Sequence, residues 1–305
     1  MPDIIVVGSI NMDLVVRVQR HPLPGETLLG SDYQTFPGGK GANQAVAAAR
    51  AGGSVRMIGC LGSDNFGAQL LEGLVQDGID THWIKRVEGP SGVAFIVVNA
   101  QGQNSIIVAP GSNYRLLPED LKAEVFRGAK VILLQLEVPL PTVLEAARRG
   151  KKTGARVILN AAPARSLSAD ELRDVDLLVV NEFEAGTVLG QKAPQGIEGA
   201  LAAAQSLCER VSSVVITLGA EGCVWADTSG QGYVSAFQVQ PVDTTAAGDA
   251  FVGMLASRLA KGEALAPALR WASAAGALAT TQEGAQPSLP TEAEVESFLA
   301  GRSSP

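Results

Sequence analysis

The chain has 305 residues, of which 46% are hydrophobic and 18% charged, so it can build a sizeable core and is not of the disordered class. Lys and Arg number 24 against 31 Asp and Glu, and the formal net charge of −7 argues against a nucleic-acid-binding protein. The three cysteines lack metal-binding spacing, and neither of the two histidines lies in a nucleophile motif. We expect a cytoplasmic protein with no membrane partner. The reasons are the cysteine usage, a start without a basic signal-peptide region and the lack of an apolar run of about 18 residues.

Short runs of Val, Ile and Leu alternate along the chain with longer alanine-rich segments. The short runs predict buried strands at Ile4–Val7, Val55–Ile58, 131–136, 157–159, 177–180 and 214–217. The longer segments predict helices at 41–50, 66–76, 141–151, 197–210, 249–259 and 265–280. Alternation of this kind is typical of a doubly wound α/β domain with a mostly parallel sheet flanked by helices.

Two segments, 13–36 and 91–109, interrupt this alternation because each has strand-like patterning without a helix. In the second segment, a turn ending at Gly102 separates two apolar runs and predicts a hairpin. We expect the two insertions to form a small β-sheet within one domain that spans residues 1–305. The end of the chain, 301–305, is predicted to lack regular structure.

The strongest chemical signal is the stretch from Asp243 to Asp249, which reads Asp-Thr-Thr-Ala-Ala-Gly-Asp before a predicted helix. A helix start offers unpaired N–H groups and a positive dipole end, and small residues let an anion approach them. A carboxylate beside such an anion pocket suits phosphoryl transfer, because Asp249 could take the proton of an attacking hydroxyl. Considered alone, Asp249 could equally cap the helix.

A second glycine-rich segment, 37–45, precedes the predicted helix at 41–50. Its glycines allow a ligand to approach the backbone closely, and Lys40 and Asn43 are spaced to face one pocket. The segment matches neither a Walker A motif nor the dinucleotide fingerprint. The alternative interpretation is a glycine turn with a solvated lysine.

Polar residues also follow several predicted strands, at the edge where open α/β sheets bind ligands. Asp13 follows the first strand and Glu137 follows the strand at 131–136. Asn181 and Glu184 follow the strand at 177–180, where they could hold a hydrated Mg²⁺, although Asn181 could instead only cap a helix. The glycines after Thr217 would let the backbone approach a nucleotide, although considered alone they could form a hairpin turn into 223–225.

Together these motifs make the chain similar to the ribokinase family of carbohydrate and nucleoside kinases. The family signatures are the stretches 38–45 and 243–249, and further matches lie at 8–13, 160–165 and 284–288. The similarity extends from residue 4 to about residue 299. It implies that the segments 13–36 and 91–109 form a lid, which in this family often serves as a homodimer interface.

The resemblance implies ATP-dependent phosphorylation of D-ribose at the 5-hydroxyl, giving ribose 5-phosphate. It implies that Asp249 is the general base and that the backbone of Ala246, Ala247 and Gly248 forms the anion hole. The sugar-contacting positions that it implies are Asn11, Asp13, Gly39, Lys40, Asn43, Glu137 and Asp249. The implied nucleotide-contacting positions are Asn181, Thr217, Gly219, Gly222, Gly248 and Ser273. Mg²⁺ is expected near Glu184 through water, and an activating K⁺ near Asp243, Thr245, Ala279, Gln282, Gly284 and Ser288.

Other functions remain open at this point. Another sugar or nucleoside kinase of the same family would carry the same motifs and differ only in pocket side chains. A catalytically silent sugar-binding protein could share the fold, because fold does not fix function. A nicotinamide oxidoreductase is disfavoured, because no G-x-G-x-x-G follows the first strand.

Overall fold

An eight-stranded sheet forms the centre of the protein, which is described over residues 1–301 by a computed structural model. The predicted irregular end at 302–305 lies outside these described residues. In chain order the strands are β1 (Ile4–Val7), β2 (Asn11–Arg17), β3 (Gln34–Gly38), β4 (Val55–Ile58), β5 (Cys60–Gly62), β6 (Lys85–Val87), β7 (Gly92–Val98), β8 (Asn104–Ala109), β9 (Val131–Leu134), β10 (Arg156–Asn160), β11 (Leu177–Asn181), β12 (Ser213–Thr217), β13 (Gly222–Asp227) and β14 (Gly230–Ser235).

The helices pack on both faces of this sheet. They are α1 (Lys40–Arg50), α2 (Asn65–Gln76), α3 (Leu140–Thr153), α4 (Ala169–Leu172), α5 (Glu182–Leu189), α6 (Gly196–Leu207), α7 (Ala247–Ala260), α8 (Leu265–Ala279) and α9 (Glu292–Ala300). No helix within residues 1–301 is long and apolar enough to cross a bilayer.

The central sheet has the order β14-β13-β12-β11-β10-β9-β1-β4, and the six strands from β12 to β4 are parallel. Alternate side chains of β1 enter two separate cores, with Ile4 and Val6 on the side of α1, α7 and α8. Ile5 and Val7 enter the core on the side of α3, α5 and α6. Burial on both faces explains why the parallel strands are continuous apolar runs. The predicted doubly wound α/β fold is confirmed.

A separate four-stranded sheet has the order β3-β2-β7-β8 and comes from the two predicted insertions. The predicted hairpin is present, since β7 and β8 pair antiparallel with Phe95 opposite Ile107. Strand β2 starts only four residues after the end of β1, so the four-stranded sheet begins directly at the carboxyl edge of the central sheet.

Several predicted boundaries were wrong by a few residues. The strand predicted at 131–136 ends at Leu134, and the helix predicted at 197–210 ends at Leu207. The antiparallel hairpin of β13 and β14, which extends the central sheet by two strands, was not predicted as strands. Its glycines, at 222, 230 and 232, mask the strand pattern because glycine is unfavourable in strand interiors.

Candidate active site

The carboxyl edge of the parallel strands brings together the polar residues that the sequence suggested. Asn11 and Asp13 lie at the start of β2, just beyond β1, and both side chains are buried. Glu137 follows β9, Asn181 ends β11 and Thr217 ends β12. The helix α7 starts at the same edge, because Asp249 contacts side chains from α1 there. The parallel sheet therefore places residues from distant parts of the sequence around one space.

Asp249 does not cap α7, so that alternative was wrong. The cap position is Ala246, and Asp249 is the third residue of the helix. Ala246 has φ of 59°, the one positive φ of a non-glycine residue among residues 1–301. This left-handed conformation is costly for a residue with a Cβ, and such strain clusters at functional sites. A Cβ added to Gly248 would have nothing within 4 Å, so the backbone at the helix start borders open space.

The Asp249 carboxylate is only 7% exposed and is held by two side-chain amides. Asn43 Nδ2 donates to its Oδ2 at 3.0 Å, and Gln44 Nε2 donates to its Oδ1 at 2.9 Å. Both donors belong to the first turns of α1, which lie within the glycine-rich segment. The Oδ1 atom of Asn43 is buried and has no hydrogen-bond partner among the described residues. It is therefore an acceptor available to a ligand hydroxyl.

Negative charge accumulates around one lysine in this space. Burial, and then repulsion from Glu137 and Asp249, raise the pKa of Asp13 to about 7, although Lys40 acts in the opposite direction. Burial lowers the pKa of Lys40, but attraction to the surrounding carboxylates, led by Asp249 and Glu137, outweighs burial and raises it above its usual value. Lys40 is therefore a permanent positive charge facing several carboxylates.

Glu137 fixes the start of α1 relative to β1. Its Oε2 accepts hydrogen bonds from Ser9 Oγ at 2.5 Å and from the Lys40 N–H at 3.1 Å. Gly39, with φ of 87°, leads into the helix, and a Cβ there would lie 2.7 Å from the backbone nitrogen of Asn11. Only glycine fits this close crossing, which brings the glycine-rich segment against the start of β2.

Two cavities meet at Gly248, on either side of the start of α7. The larger has a volume of about 330 Å³ and is lined by Thr217, Gly219, Gly222, Ser273 and apolar residues that include Phe251 and Val239. The smaller, of about 230 Å³, is lined by Lys40, Asn181, Glu184 and Asp249. Thr217 and Gly248 line both cavities, so Asn181 shares the smaller cavity with these two predicted nucleotide residues and with the candidate base.

Asn181 and Glu184 form a reciprocal cap at the start of α5. Asn181 Oδ1 accepts from the Glu184 N–H, and Glu184 Oε2 accepts from the Asn181 N–H, both at 2.8 Å. Burial raises the pKa of Glu184, against the effects of the Asn181 N–H and Lys40. The capping alternative is therefore correct for Asn181. It leaves Glu184 Oε1 outside the cap, as an oxygen donor of the type that a hydrated Mg²⁺ prefers.

Asp243 braces the loop that leads to Ala246. Its Oδ1 accepts from the Thr245 N–H at 2.9 Å and from Thr245 Oγ1 at 2.7 Å, and its Oδ2 accepts from the Gly284 N–H at 3.0 Å. Burial raises the pKa of Asp243, but these hydrogen bonds outweigh burial and hold it below its usual value. The carboxylate thus joins the two loops predicted to form the cation site. Both Asp243 oxygens accept protein hydrogen bonds, so main-chain oxygens are left as the main donors for a cation.

Some residues of the site were not singled out from the sequence. Gln44 contacts Asp249, and Gln135 in turn contacts Gln44. Asn113 donates to Asn11 Oδ1 at 2.7 Å and also bonds the backbone of Ile10. Gln44 lies within the glycine-rich segment and could have been found there. No sequence motif pointed to Gln135 or Asn113, because only the folded chain brings them to the site.

Comparison with known proteins gives the family. A family model described as pfkB family carbohydrate kinase matches residues 1–292. The chain belongs to this family and is an ATP-dependent carbohydrate kinase. Within this class it is 41% identical to the ribokinase of Haemophilus influenzae over 297 residues, which cover 96% of this chain and 97% of that protein. It is 37% identical to a deoxyribokinase of Salmonella typhi over 303 residues, covering 98% and 99% of the two chains.

A solved structure supports the same relationship. The fold matches that of Arabidopsis thaliana ribokinase complexed with ribose and ATP with a TM-score of 0.90, at 32% identity and over 98% of both chains. The similarity covers both the central sheet and the four-stranded sheet, because almost the whole chain is matched. The resemblance to the ribokinase family that the sequence motifs indicated is confirmed.

Proposed function

We propose that this kinase transfers the γ-phosphoryl group of ATP to the 5-hydroxyl of D-ribose, giving ribose 5-phosphate and ADP. The observation that carries the proposal is the position of Asp249, a buried carboxylate held by two amides where two cavities meet. The ribokinases among its relatives, and the Arabidopsis structure with ribose and ATP, support ribose as the acceptor.

In this proposal the sugar lies between the start of β2 and the start of α1. Asp13 accepts hydrogen bonds from neighbouring sugar hydroxyls, and Asn43 accepts through its unpaired Oδ1. The remaining contacts come from Asn11, Gly39, Lys40 and Glu137. Lys40 limits the electrostatic cost of gathering several carboxylates in one pocket.

Asp249 takes the proton of the 5-hydroxyl as that oxygen forms a bond to the γ-phosphorus and the bond from phosphorus to the ADP oxygen breaks. The backbone of Ala246, Ala247 and Gly248 faces the transferring group and stabilises its charge, since helix starts present N–H groups and a positive dipole end. The strained φ of Ala246 supports this role, because it turns the backbone into the helix at the border of the two cavities.

The nucleotide occupies the larger cavity, where Thr217, Gly219, Gly222, Gly248 and Ser273 form part of the wall. Its phosphates extend toward the smaller cavity, which Asn181 lines. The oxygen donor of Glu184 fits an Mg²⁺ held through water, and the metal would neutralise phosphate charge. Among residues 1–301 no cluster of three His, Cys, Asp or Glu side chains forms a metal site. Phosphate and water oxygens would therefore complete the coordination.

K⁺ is proposed as an activator that orders the loop before the anion hole. Main-chain oxygens at Asp243, Thr245, Ala279, Gln282 and Gly284, together with the buried Ser288, form a hard-oxygen set next to this loop. The four-stranded sheet is proposed to act as a lid over the sugar and as the interface of a homodimer. All residues of its edge strand β8 are exposed, and uncovered edges of this kind favour association.

The test is a panel of acceptors that includes ribose, 2-deoxyribose, fructose and nucleosides, read by ADP release with wild-type protein and Asp249→Asn. We expect ribose to give the highest kcat/KM. Loss of the general base is expected to lower kcat by about 10²–10⁴-fold while ribose binding is largely kept. Preference for 2-deoxyribose would overturn the choice of ribose, and one relative, in Salmonella typhi, is named a deoxyribokinase. Near-normal turnover by Asp249→Asn would remove Asp249 from the mechanism.

A further inference from the structure

A chain of three side-chain amides connects Asp249 to the central sheet. Gln44 Nε2 donates both to Asp249 Oδ1 at 2.9 Å and to Asn160 Oδ1 at 3.0 Å. Gln44 Oε1 accepts from Gln135 Nε2 at 2.6 Å. Gln44 and Gln135 are both fully buried. Each polar atom of the Gln44 side chain is thus used, and one of its bonds goes to the candidate base.

The directions of these bonds allow only one orientation of Gln44. If its amide were reversed, its oxygen would face the oxygens of Asp249 and Asn160, and its nitrogen would face the nitrogen of Gln135. Three hydrogen bonds would become three repulsive contacts in a buried space, where unpaired polar atoms are costly. The Asp249 carboxylate can only accept, so Gln44 presents Nε2 to it. Gln135 does not contact Asp249 and holds the Gln44 oxygen on the other side of the amide.

Both partners of Gln44 are fixed by strands of the central sheet. Asn160 ends β10 and donates through Nδ2 to the carbonyl oxygen of Val179 in β11 at 3.1 Å. Gln135 follows β9 directly, and its Oε1 lies where a Cβ on Gly8 would be, 2.0 Å from that position. The amide chain thus links Asp249 to three adjacent strands of the central sheet, β9, β10 and β11.

We propose that Gln135 and Asn160 are positioning residues for phosphoryl transfer, acting through Gln44 to hold Asp249 in a productive orientation. The chain presents N–H groups to the carboxylate, and it keeps Asp249 Oδ1 from rotating away from the acceptor hydroxyl. Small misplacements of a catalytic group are expensive, so a rigid supporting network contributes to kcat rather than to substrate binding. This inference rests on the proposed role of Asp249 as the base.

The test is a double-mutant cycle with Gln44→Met, Gln135→Met and Asp249→Ala. Methionine keeps the length of the side chain and removes its amide. We expect Gln44→Met to lower kcat by roughly 10- to 100-fold, because it removes a bond to a charged group. Gln135→Met should lower kcat by roughly threefold to tenfold, because its effect passes through Gln44. The KM values for ribose and ATP should change by less than about twofold.

In the Asp249→Ala background the same two substitutions should have almost no further effect, because no carboxylate is left to orient. A merely structural role would lower the residual rate in both backgrounds. Ser257→Ala is the matched control, since its buried hydroxyl lies on α7 and donates to the Ala51 carbonyl, away from Asp249. It should lower the melting temperature and leave kcat unchanged.

Three results would contradict the inference. Equal losses of kcat in the wild-type and Asp249→Ala backgrounds would show that Gln44 and Gln135 act on the fold. An unchanged kcat in Gln44→Met would remove the amide chain from catalysis. Near-normal turnover by Asp249→Ala would overturn the proposed base and, with it, this inference. In the first two results Asp249→Ala still loses activity, so a failure of this inference alone can be recognised. If Gln44→Met does not fold, Gln135→Met in both backgrounds decides the question alone.

Discussion

Asn43 donates from Nδ2 to the Asp249 carboxylate at 3.0 Å, while its own Oδ1 is buried without a partner among the described residues. One side chain thus contacts the candidate base and offers an acceptor to the sugar. We expect Asn43→Ala to lower kcat/KM for ribose by roughly 10- to 100-fold, since hydrogen bonds to charged groups contribute about 1.5–3 kcal/mol. Steady-state kinetics measures this, and a loss confined to the KM for ATP would place the sugar elsewhere.

The pKa of Asp13 makes the stability of the ligand-free protein depend on pH. Asp13 titrates at about 7 in the folded protein, whereas its ordinary value is 3.8. Between these values the folded state binds a proton that the unfolded state lacks, so this group's contribution to stability falls as the pH rises from about 4 to 7. We expect Asp13→Asn, which cannot ionise, to raise the melting temperature at pH 8 but not at pH 4. Equal shifts of the melting temperature at pH 4 and pH 8 would show that folding does not raise the pKa of Asp13.

The Asp13 carboxylate is also proposed to bind the sugar, so substitutions that remove it should weaken ribose binding even where they raise the melting temperature. Asp13→Ala should raise the KM for ribose by about tenfold or more and affect the KM for ATP less. The control is Asp3→Ala, because Asp3 is half-buried at the opposite edge of the central sheet and pairs with Lys130. A larger change for ATP than for ribose would contradict the proposed position of the sugar beside Asp13.

Asp243 is expected to control the response to monovalent cations. We predict that K⁺ raises activity several-fold over a bulky organic cation at equal ionic strength, because a bound ion orders the loop before Ala246. Asp243→Ala should abolish this response, since Thr245 and Gly284 lose the acceptor that joins their loops. Initial rates at saturating Mg²⁺ measure the effect, with circular dichroism to confirm the fold. Equal rates of the wild-type protein in both salts would contradict the prediction.

The four-stranded sheet should be the dimer interface. Ile107 on its edge strand is 71% exposed and faces Phe95 across the hairpin, itself 48% exposed. A lysine there would add charge to an apolar contact, so we expect Ile107→Lys to convert a dimer into the 31.5 kDa monomer in light scattering. Val75→Lys on α2, 56% exposed, is the matched control and should leave the mass unchanged. A wild-type protein that is already monomeric at micromolar concentration would exclude the interface.

The alternation of apolar runs and helical segments was sufficient to predict the central sheet. Strand β1 is buried on both faces and is a continuous apolar run, and both β1 and β4 begin and end at the predicted residues. The β13–β14 hairpin could not be found in this way. It lies at the sheet edge and β14 is largely exposed, so burial does not impose an apolar pattern on its sequence.

For the site, the sequence showed which side chains carry charge but not how they are held. Asp249 and Lys40 stood out because each lies in a distinctive motif, and the structure brings them into one cavity. The other partners of Gln44 are Asn160 and Gln135, and they depend on the adjacency of β10 and β9 in the sheet, two strands that are separated in sequence by α3. An isolated Gln135 after a strand therefore has no meaning until the sheet order is known.

Two of the residues proposed to bind the sugar lie in the four-stranded sheet, whereas the amide chain behind the candidate base leads through Gln44 to the central sheet. Asn11 and Asp13 lie on β2, which pairs with β7 in the four-stranded sheet, whereas Asp249 is tied to the central one. Asn43 serves both groups, but changes in β2 and β7 can alter the acceptor without replacing the amides that bond Asp249. In evolution or under directed selection, the acceptor specificity of such a chain can change while the residues proposed for phosphoryl transfer stay the same.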